Sequence, residues 1–374
     1  MKNLFFYGTL RCESLLRTVL GGDPDFRLVP AVLPGHGAFV AAGQRFPFLD
    51  PDPTLECSGL LAVGVDGDAL ERLIYYEGGF GYDLTQLSVQ TEHGPEEAEV
   101  WMTPAGRFDR AAPFDLENWQ ARSGAIAVRA AGEVMQWRGR KTAGQVAQIY
   151  PMIEMRAASY VMGRAEDVPD APSGLTRDDV QVAAHSYDYA EYFGVESYRF
   201  KFRHHDGSFS DEVNYASFGA TDAALVLPYD PLRDRIMLVE QFRMGPWTRG
   251  DRVPWQLEPI AGRIDASETP ETTAIREARE EAGLDLTGLE LISRGYPTPG
   301  CSNEYFHVYL GLADLPDGIE GTGGLASENE NIRSYVFSFD RAMKMLTDGE
   351  IRVVPLQMAL FWLANHRDRL RAGA

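Results

Sequence analysis

Gly262 to Leu284 constrains this chain more than any other segment, because it crowds like charges onto one short helix. The helix predicted over residues 269–282 carries four carboxylates, those of Glu271, Glu277, Glu280 and Glu281. Thr269 suits the N-cap, Pro270 the first helical position, and Gly283 the stop. On a helical wheel Ala274, Ala278 and Ala282 form a stripe of small residues. Glu277 and Glu281 lie one turn apart beside it, with Glu280 rotated away but close enough to reach the same ion. Acids on neighbouring turns repel unless something compensates them, and the spacing suits a divalent cation.

A charge run is ordinarily a solvated face. Three features argue otherwise. The alanine stripe predicts close packing, and Arg276 and Arg279 interleave the acids where a guanidinium can orient a carboxylate. Gly262, upstream of Glu268, marks a loop between strand and helix whose backbone can approach a ligand. The pattern Gly262-x5-Glu268-x7-Arg276-Glu277-Ala278-x-Glu280-Glu281-x-Gly283-Leu284 resembles the Nudix box. That resemblance implies a Mg²⁺- or Mn²⁺-dependent hydrolase cleaving a nucleoside diphosphate linked to another moiety.

The chain has 374 residues, for which two domains are the natural expectation. Its formal net charge of −20 excludes sequence-independent nucleic-acid binding, which needs a basic surface. An anionic substrate must therefore be drawn in by metal ions and local arginines. Cys12, Cys57 and Cys301 show no paired spacing, which suits a reducing compartment. The opening apolar run ends too early for a signal peptide, and no stretch has transmembrane length. A cytoplasmic protein without membrane partners is expected.

Residues 1–112 read as one β-rich domain, with strands at 3–7, 59–65 and 98–102 and a helix over 68–76. Residues 113–170 read as a helical connector and linker, its helices broken near 140–144 and at Pro151. The clearest linker is 166–176, with two prolines and a glycine. Residues 171–374 form the last domain, with strands at 198–204, 222–227, 235–241 and 335–337. Helices over 340–347 and 355–371 close it.

Several segments of this half resemble bacterial ADP-ribose pyrophosphatases of the Nudix family. Arg243, at the end of an apolar strand, resembles the family's substrate-binding arginine; a surface ion pair is the plainer reading. Pro254–Gly262 resembles the segment entering the box, which implies that the backbone carbonyl of Ala261 is a metal ligand. Glu258 reads equally as a substrate contact or a satisfied strand end. The Pro/Gly loop at 296–304 resembles the substrate loop and implies that Glu304 lies near the terminal ribose, although the family usually has Gly where Cys301 stands. The stretch 325–333 resembles the mobile catalytic loop. The implied set is Glu328 as base, Glu281, Glu280 and Arg276 beside it, and Ala261, Glu277, Glu281 and Glu330 on metal. ADP-ribose would give AMP and ribose 5-phosphate, in a homodimer. The fold implied for this half is a Nudix α/β/α sandwich with a mixed sheet.

At the other end, Tyr7-Gly8-Thr9-Leu10 is a tight turn between a strand and a helix, which makes an anion site. It resembles the substrate loop of the γ-glutamylcyclotransferase family, with Thr9 where Ser is common, and Glu77 resembles that family's catalytic glutamate. The resemblance implies a small β-barrel with helices, giving an α/β (α+β) chain overall. It leaves cyclotransferase activity, or ligand binding alone, as the alternative for this domain. A nucleotide-sensing module with a disabled box is the non-enzymatic reading, and the intact acids at 277, 280, 281, 328 and 330 oppose it. The combined arrangement resembles tellurite-resistance-associated ADP-ribose pyrophosphatases, although no residue here carries tellurite chemistry.

Overall fold

The structure, a computed structural model, describes residues 1–167, 171–325 and 330–373. It divides into two compact units, Met1–Tyr215 and Ala216–Ala374.

The first unit opens with β1 (Lys2–Phe6), α1 (Glu13–Leu20), β2 (Arg27–Ala41), β3 (Pro47–Val65) and α2 (Gly67–Glu77). β4 (Asp83–Thr91), β5 (Gly94–Met102) and β6 (Arg110–Pro113) follow. The strand order β3-β1-β5-β4-β2, closed by pairing of β2 with β3, makes a five-stranded barrel, and β6 flanks β2. β1 is apolar from Leu4 onward because both of its faces are buried there. Phe5 and the following Tyr7 fill the barrel with Leu33, Leu61 and Val100, while Leu4 and Phe6 lie under helices.

Those helices are α1, α2, α4 (Ala125–Gln136) and α5 (Ala143–Ala165), preceded by the single turn α3 (Leu116–Trp119). α5 runs straight through Pro151, where the sequence predicted a break. An interior proline costs about 3 kcal/mol. Here that is offset by a capping box at Thr142/Gln145 and by the buried face of Val146, Ile149, Ile153 and Ala157.

The linker at 166–176 does not separate the units. β7 (Val180–Ala190) and β8 (Gly194–Phe202) pair in a hairpin, joined by β9 (Val213–Gly219) in a three-stranded sheet. The hairpin belongs with the first unit because the helices hold it. Arg140 Nη1 donates to the Tyr187 carbonyl at 2.6 Å, and Lys141 Nζ reaches Glu191 at 2.5 Å.

In the second unit, β10 (Ala223–Asp230) and β11 (Arg235–Phe242) form a hairpin, followed by the short α6 (Met244–Arg249). β12 (Trp255–Glu258), β13 (Ile260–Arg263), α7 (Pro270–Ala282), β14 (Gly288–Gly295) and β15 (Phe306–Leu312) come next. β16 (Thr322–Gly323), β17 (Ile332–Ser338), α8 (Phe339–Thr347) and α9 (Val354–Ala372) complete it. The mixed sheet runs β14-β15-β10-β11-β17-β16, with β15 parallel to β10. β10 and β11 pair only at Tyr229/Ile236 and Asp230/Arg235. Beyond that point they diverge, β13 pairing with β10 and β12 with β11. α8 and α9 cover one face through Phe339, Met345, Leu356, Leu360 and Leu363, and α7 packs on the other through Ala274 and Ala278. The α/β/α sandwich is thus observed.

Asp234 ties this hairpin to the last helix. It adopts φ 55°, a left-handed conformation that costs a non-glycine residue about 1 kcal/mol. Its carboxylate accepts from Tyr229 Oη at 2.8 Å and Arg367 Nε at 2.9 Å, with Arg371 Nη1 at 3.1 Å. The Arg367 hydrogen bond, first among several causes, holds this carboxyl below its usual pKa. A depressed folded-state pKa gives stability that is present at neutral pH and lost as pH falls through it. Asp234→Asn should therefore destabilise the unit by about 1–2 kcal/mol at pH 7 and flatten the acid limb of its stability curve below about pH 4. Denaturant unfolding at several pH values measures both, and an unchanged acid limb refutes the assignment.

Candidate active site

α7 starts as its sequence dictates. Thr269 Oγ1 accepts from Thr272 N at 3.2 Å, Thr272 Oγ1 accepts from Thr269 N at 2.9 Å, and Gly283 ends the helix at φ 64°. Ala274 and Ala278, both fully buried, let α7 approach β13 and β10 closely. The contact is tightest at Gly262, where a Cβ would stand 1.7 Å from Glu277 Oε1. Only glycine leaves room there for the carboxylate.

That close packing buries the acids. Glu281 is 1% exposed, and its Oε2 accepts from Ala261 N at 3.3 Å. Burial pushes Glu277 up to about 7; Arg276 opposes the shift, and Glu280 and Glu330 add to it. Burial likewise drives Glu281 well above the usual carboxylate range, reinforced by Glu277 and Glu330 and opposed by Arg243. Glu277, Glu281 and Glu330 thus feel one another in a space short of positive charge.

Arg276 supplies what compensation there is. Its Nε and Nη2 donate to the two oxygens of Glu268, each at 2.9 Å. Nη1 donates to Glu277 Oε1 at 2.7 Å and to Glu280 Oε2 at 2.8 Å, and Nη2 reaches the Arg263 carbonyl at 3.3 Å. With its nitrogens engaged by protein groups, Arg276 positions the acids. Glu280 is drawn to this guanidinium.

The segment before the acidic loop docks on the end of α7. Gly323 packs so closely that a Cβ would stand 2.0 Å from the Glu281 carbonyl, and Gly324 N donates to Glu280 O at 3.1 Å. Leu325 N donates to Glu330 Oε2 at 3.1 Å, and Glu330 N returns a bond to Leu325 O at 3.3 Å. Glu328 lies outside the described residues.

Arg243 stands at the end of β11, its Nε and Nη2 both 2.7 Å from Oε2 of the buried Glu258. The strand-end reading of Glu258 and the ion-pair reading of Arg243 therefore describe one contact at this site. Burial raises the Glu304 pKa, while Arg263 and then Arg243 pull it down. Arg263 was not singled out in the sequence, where a basic residue directly after Gly262 is the only signal for it.

The carboxylates of Glu277, Glu281 and Glu330 with the Ala261 carbonyl are a hard oxygen set of the kind Mg²⁺ and Mn²⁺ take. The donors fit in chemistry: burial raises the pKa values of Glu277 and Glu281, Glu330 adds to both shifts, and Arg276 is one partial counter-charge. Their spacing is not that of a finished coordination shell, since among the described residues no three His, Cys, Asp or Glu side chains form a ready-made site.

In the first unit, Gly8 leads into a three-residue 3₁₀ turn, Thr9–Arg11. A Cβ on Gly8 would come 2.8 Å from Pro47 Cγ, and Tyr82 Oη donates to the Pro47 carbonyl at 3.0 Å. Glu77 ends α2, and burial pushes it up to about 7. Buried Tyr7, raised first by its own burial, also feels Tyr82 and Glu77, so these residues, distant in sequence, share one site. The Leu10 side chain packs in the helical core, leaving only its backbone for the turn. Thr9 opens the turn beside Gly8.

The two units thus carry an acid-lined site on a mixed-sheet sandwich and, beside the Gly8 turn of the barrel, a glutamate with a raised pKa. The NUDIX domain model matches residues 219–357, and the gamma-glutamyl cyclotransferase, AIG2-like model matches residues 4–121. The ADP-ribose pyrophosphatase of Escherichia coli (strain K12) is 35% identical over 200 residues, which are 54% of this chain and 95% of that protein. The ADP-ribose pyrophosphatase of Haemophilus influenzae is 32% identical over 191 residues, 50% of this chain and 88% of that one. The GDP-mannose pyrophosphatase of Salmonella paratyphi B is 33% identical over 131 residues, 35% of this chain and 67% of that one. The chain belongs to the Nudix family, with an AIG2-like cyclotransferase domain preceding its Nudix domain.

The Gly262–Glu277 contact is directly testable. In Gly262→Ala the methyl must displace the Glu277 side chain, a flexible group, while the backbone can stay. Hydrolytic turnover should fall at least about a hundredfold while the melting temperature drops by only a few degrees, about 1 kcal/mol in stability. Retained turnover would show that Glu277 does not need this position.

Proposed function

We propose that the second unit hydrolyses the diphosphate of ADP-ribose, or of a closely related nucleotide sugar, to AMP and ribose 5-phosphate. The observation that carries the reading is the mutual electrostatic coupling of buried Glu281 with the half-buried Glu277 and Glu330 beside Ala261, within reach of Arg243. The names of the relatives over this region support the substrate.

The resident cation is proposed to be Mg²⁺, with Mn²⁺ as a substitute, held by Glu277, Glu281, Glu330 and the Ala261 carbonyl. When bound it neutralises diphosphate oxygens and makes water nucleophilic. The chain's own groups do the rest. Arg243 pairs with the diphosphate, held at its strand end by Glu258. Arg276 keeps Glu277 and Glu280 in place. Glu328 takes the proton of the attacking water. The water oxygen bonds to one phosphorus, the bridging P–O bond breaks, and each product keeps one phosphate. Glu304 accepts hydroxyls of the terminal ribose.

We further propose that the protein works in the cytoplasm as a homodimer. Three free cysteines suit a reducing compartment, and among the described residues no helix is long and apolar enough to cross a membrane. Turnover of ADP-ribose with Mg²⁺, followed by AMP release, tests the reading. Glu281→Gln should lower it at least about a hundredfold, since replacing even outer partners of a metal site costs 10–100-fold. No turnover by the wild type, or turnover untouched in Glu281→Gln, overturns it.

A second reading concerns the barrel. Burial holding Glu77 near 7, beside Tyr7 and the Gly8 turn, favours a proton-transfer group acting on a γ-glutamyl amide, with attack of the α-amine on the γ-carbonyl. If Glu77 acts as base, release of 5-oxoproline should rise as pH passes through about 7 and vanish in Glu77→Gln. A pocket that binds such amides without releasing 5-oxoproline is a binding site only.

A further inference from the structure

Arg263 is fixed firmly beside the active site. In β13 it pairs with Ala223 of β10, which pairs with Phe306 of β15. One rung of the sheet therefore reads Arg263, Ala223, Phe306, with only a methyl between the arginine and the third strand. The root is held from three sides. The carbonyl of Arg263 accepts from Arg276 Nη2 at 3.3 Å, and the next residue's Ile264 N donates to the Asp222 carbonyl at 3.0 Å. On its other side stands Gly262, locked under Glu277. Ala223 N in turn donates to the Tyr305 carbonyl at 2.9 Å, which places Glu304 immediately beyond the same rung.

Glu304 is an awkward group at a site for a polyanion. A half-buried carboxylate repels diphosphate, and its repulsion is only partly screened by solvent. The two cations acting on it are Arg263 and Arg243, Arg263 the more strongly. Arg243 already pairs with Glu258 and faces the acids of α7.

We propose that Arg263 is a positioning residue for substrate: its guanidinium offsets the Glu304 charge, so that a carboxylate able to accept sugar hydroxyls can stand beside a bound diphosphate. The substrate class this favours is a nucleoside diphosphate whose second moiety is a hydroxyl-bearing sugar. The inference rests on the proposed hydrolysis of ADP-ribose, and its role passes through Glu304 and not through the reacting phosphorus. It thus affects KM and leaves kcat nearly alone.

The test is a double-mutant cycle on the full chain with ADP-ribose and Mg²⁺. Arg263→Met should raise KM about tenfold with kcat within about twofold, and Arg263→Lys, which keeps the charge, should raise it less than about threefold. In the Glu304→Gln background, where the charge to be offset is gone, Arg263→Met should change KM less than about threefold. An Arg263→Met KM within twofold of wild type overturns the proposal. So does a tenfold rise that persists in Glu304→Gln, or a loss confined to kcat. Should Arg263→Met fail to fold, Arg263→Lys and Arg263→Gln decide by the same KM comparison. Absence of wild-type turnover instead rejects the proposed function, a separate outcome.

Discussion

The catalytic half of the molecule depends on one close approach, that of α7 to β13 at Gly262. Two fully buried alanines set the distance between helix and sheet, and the missing side chain at 262 leaves the cavity that Glu277 fills. From this contact follow the burial of Glu281, the reach of Arg276 back to the Arg263 carbonyl, and the docking of Gly323 onto the helix end. Small residues here do chemical work indirectly: they bring acids into a region where water cannot easily screen them. A larger residue at Ala274 or Ala278 would separate the helix from the strand that carries the Ala261 carbonyl, whereas one at 262 would expel the Glu277 side chain.

Much of this was legible in the sequence because local rules and tertiary demands agree along α7. The Thr269 cap, Pro270, the alanine stripe and Gly283 all specify the same helix in the same register, and the structure places it at Pro270–Ala282. The apolar strand ending at Arg243 was legible for the same reason. What could not be read were features set by distant partners. Pro151 signals a break locally, yet α5 continues because its buried face outweighs the lost hydrogen bond. The segment 166–176 has linker composition, yet the hairpin after it is held by Arg140 and Lys141 in the turn between α4 and α5. Arg263 was invisible because its importance depends on a strand pairing and on Glu304, forty-one positions away in the chain.

The first unit shows a different relation between pattern and fold. β1 has no alternation because the barrel interior and the covering helices claim opposite faces of one strand. Its apolar run therefore fixed a strand while leaving its surroundings open. The long β2 and β3, which pair over most of their length, contain prolines and glycines that obscure their periodicity, and a register shift between Pro34 and His36 interrupts it further. Motif residues such as Tyr7, Glu77 and Tyr82 meet only after the barrel has closed and α2 has packed on it.

The acids of α7 also bear on the stability of the fold that creates their site. Glu281 and Glu277 are held in an environment that disfavours their charged forms, first by burial and then by one another. Such a group carries a raised folded-state pKa, so at neutral pH its deprotonation opposes folding. Arg276 relieves part of this, but it is shared among Glu268, Glu277 and Glu280 and cannot neutralise the set. A cation that binds the folded arrangement and not the unfolded chain stabilises it by mass action. The same excess of buried negative charge that a divalent ion would meet in catalysis thus makes local folding of the site and its loading one linked equilibrium. The alanine stripe and Gly262 matter in that equilibrium as much as the carboxylates, because they decide how deeply the charges are buried.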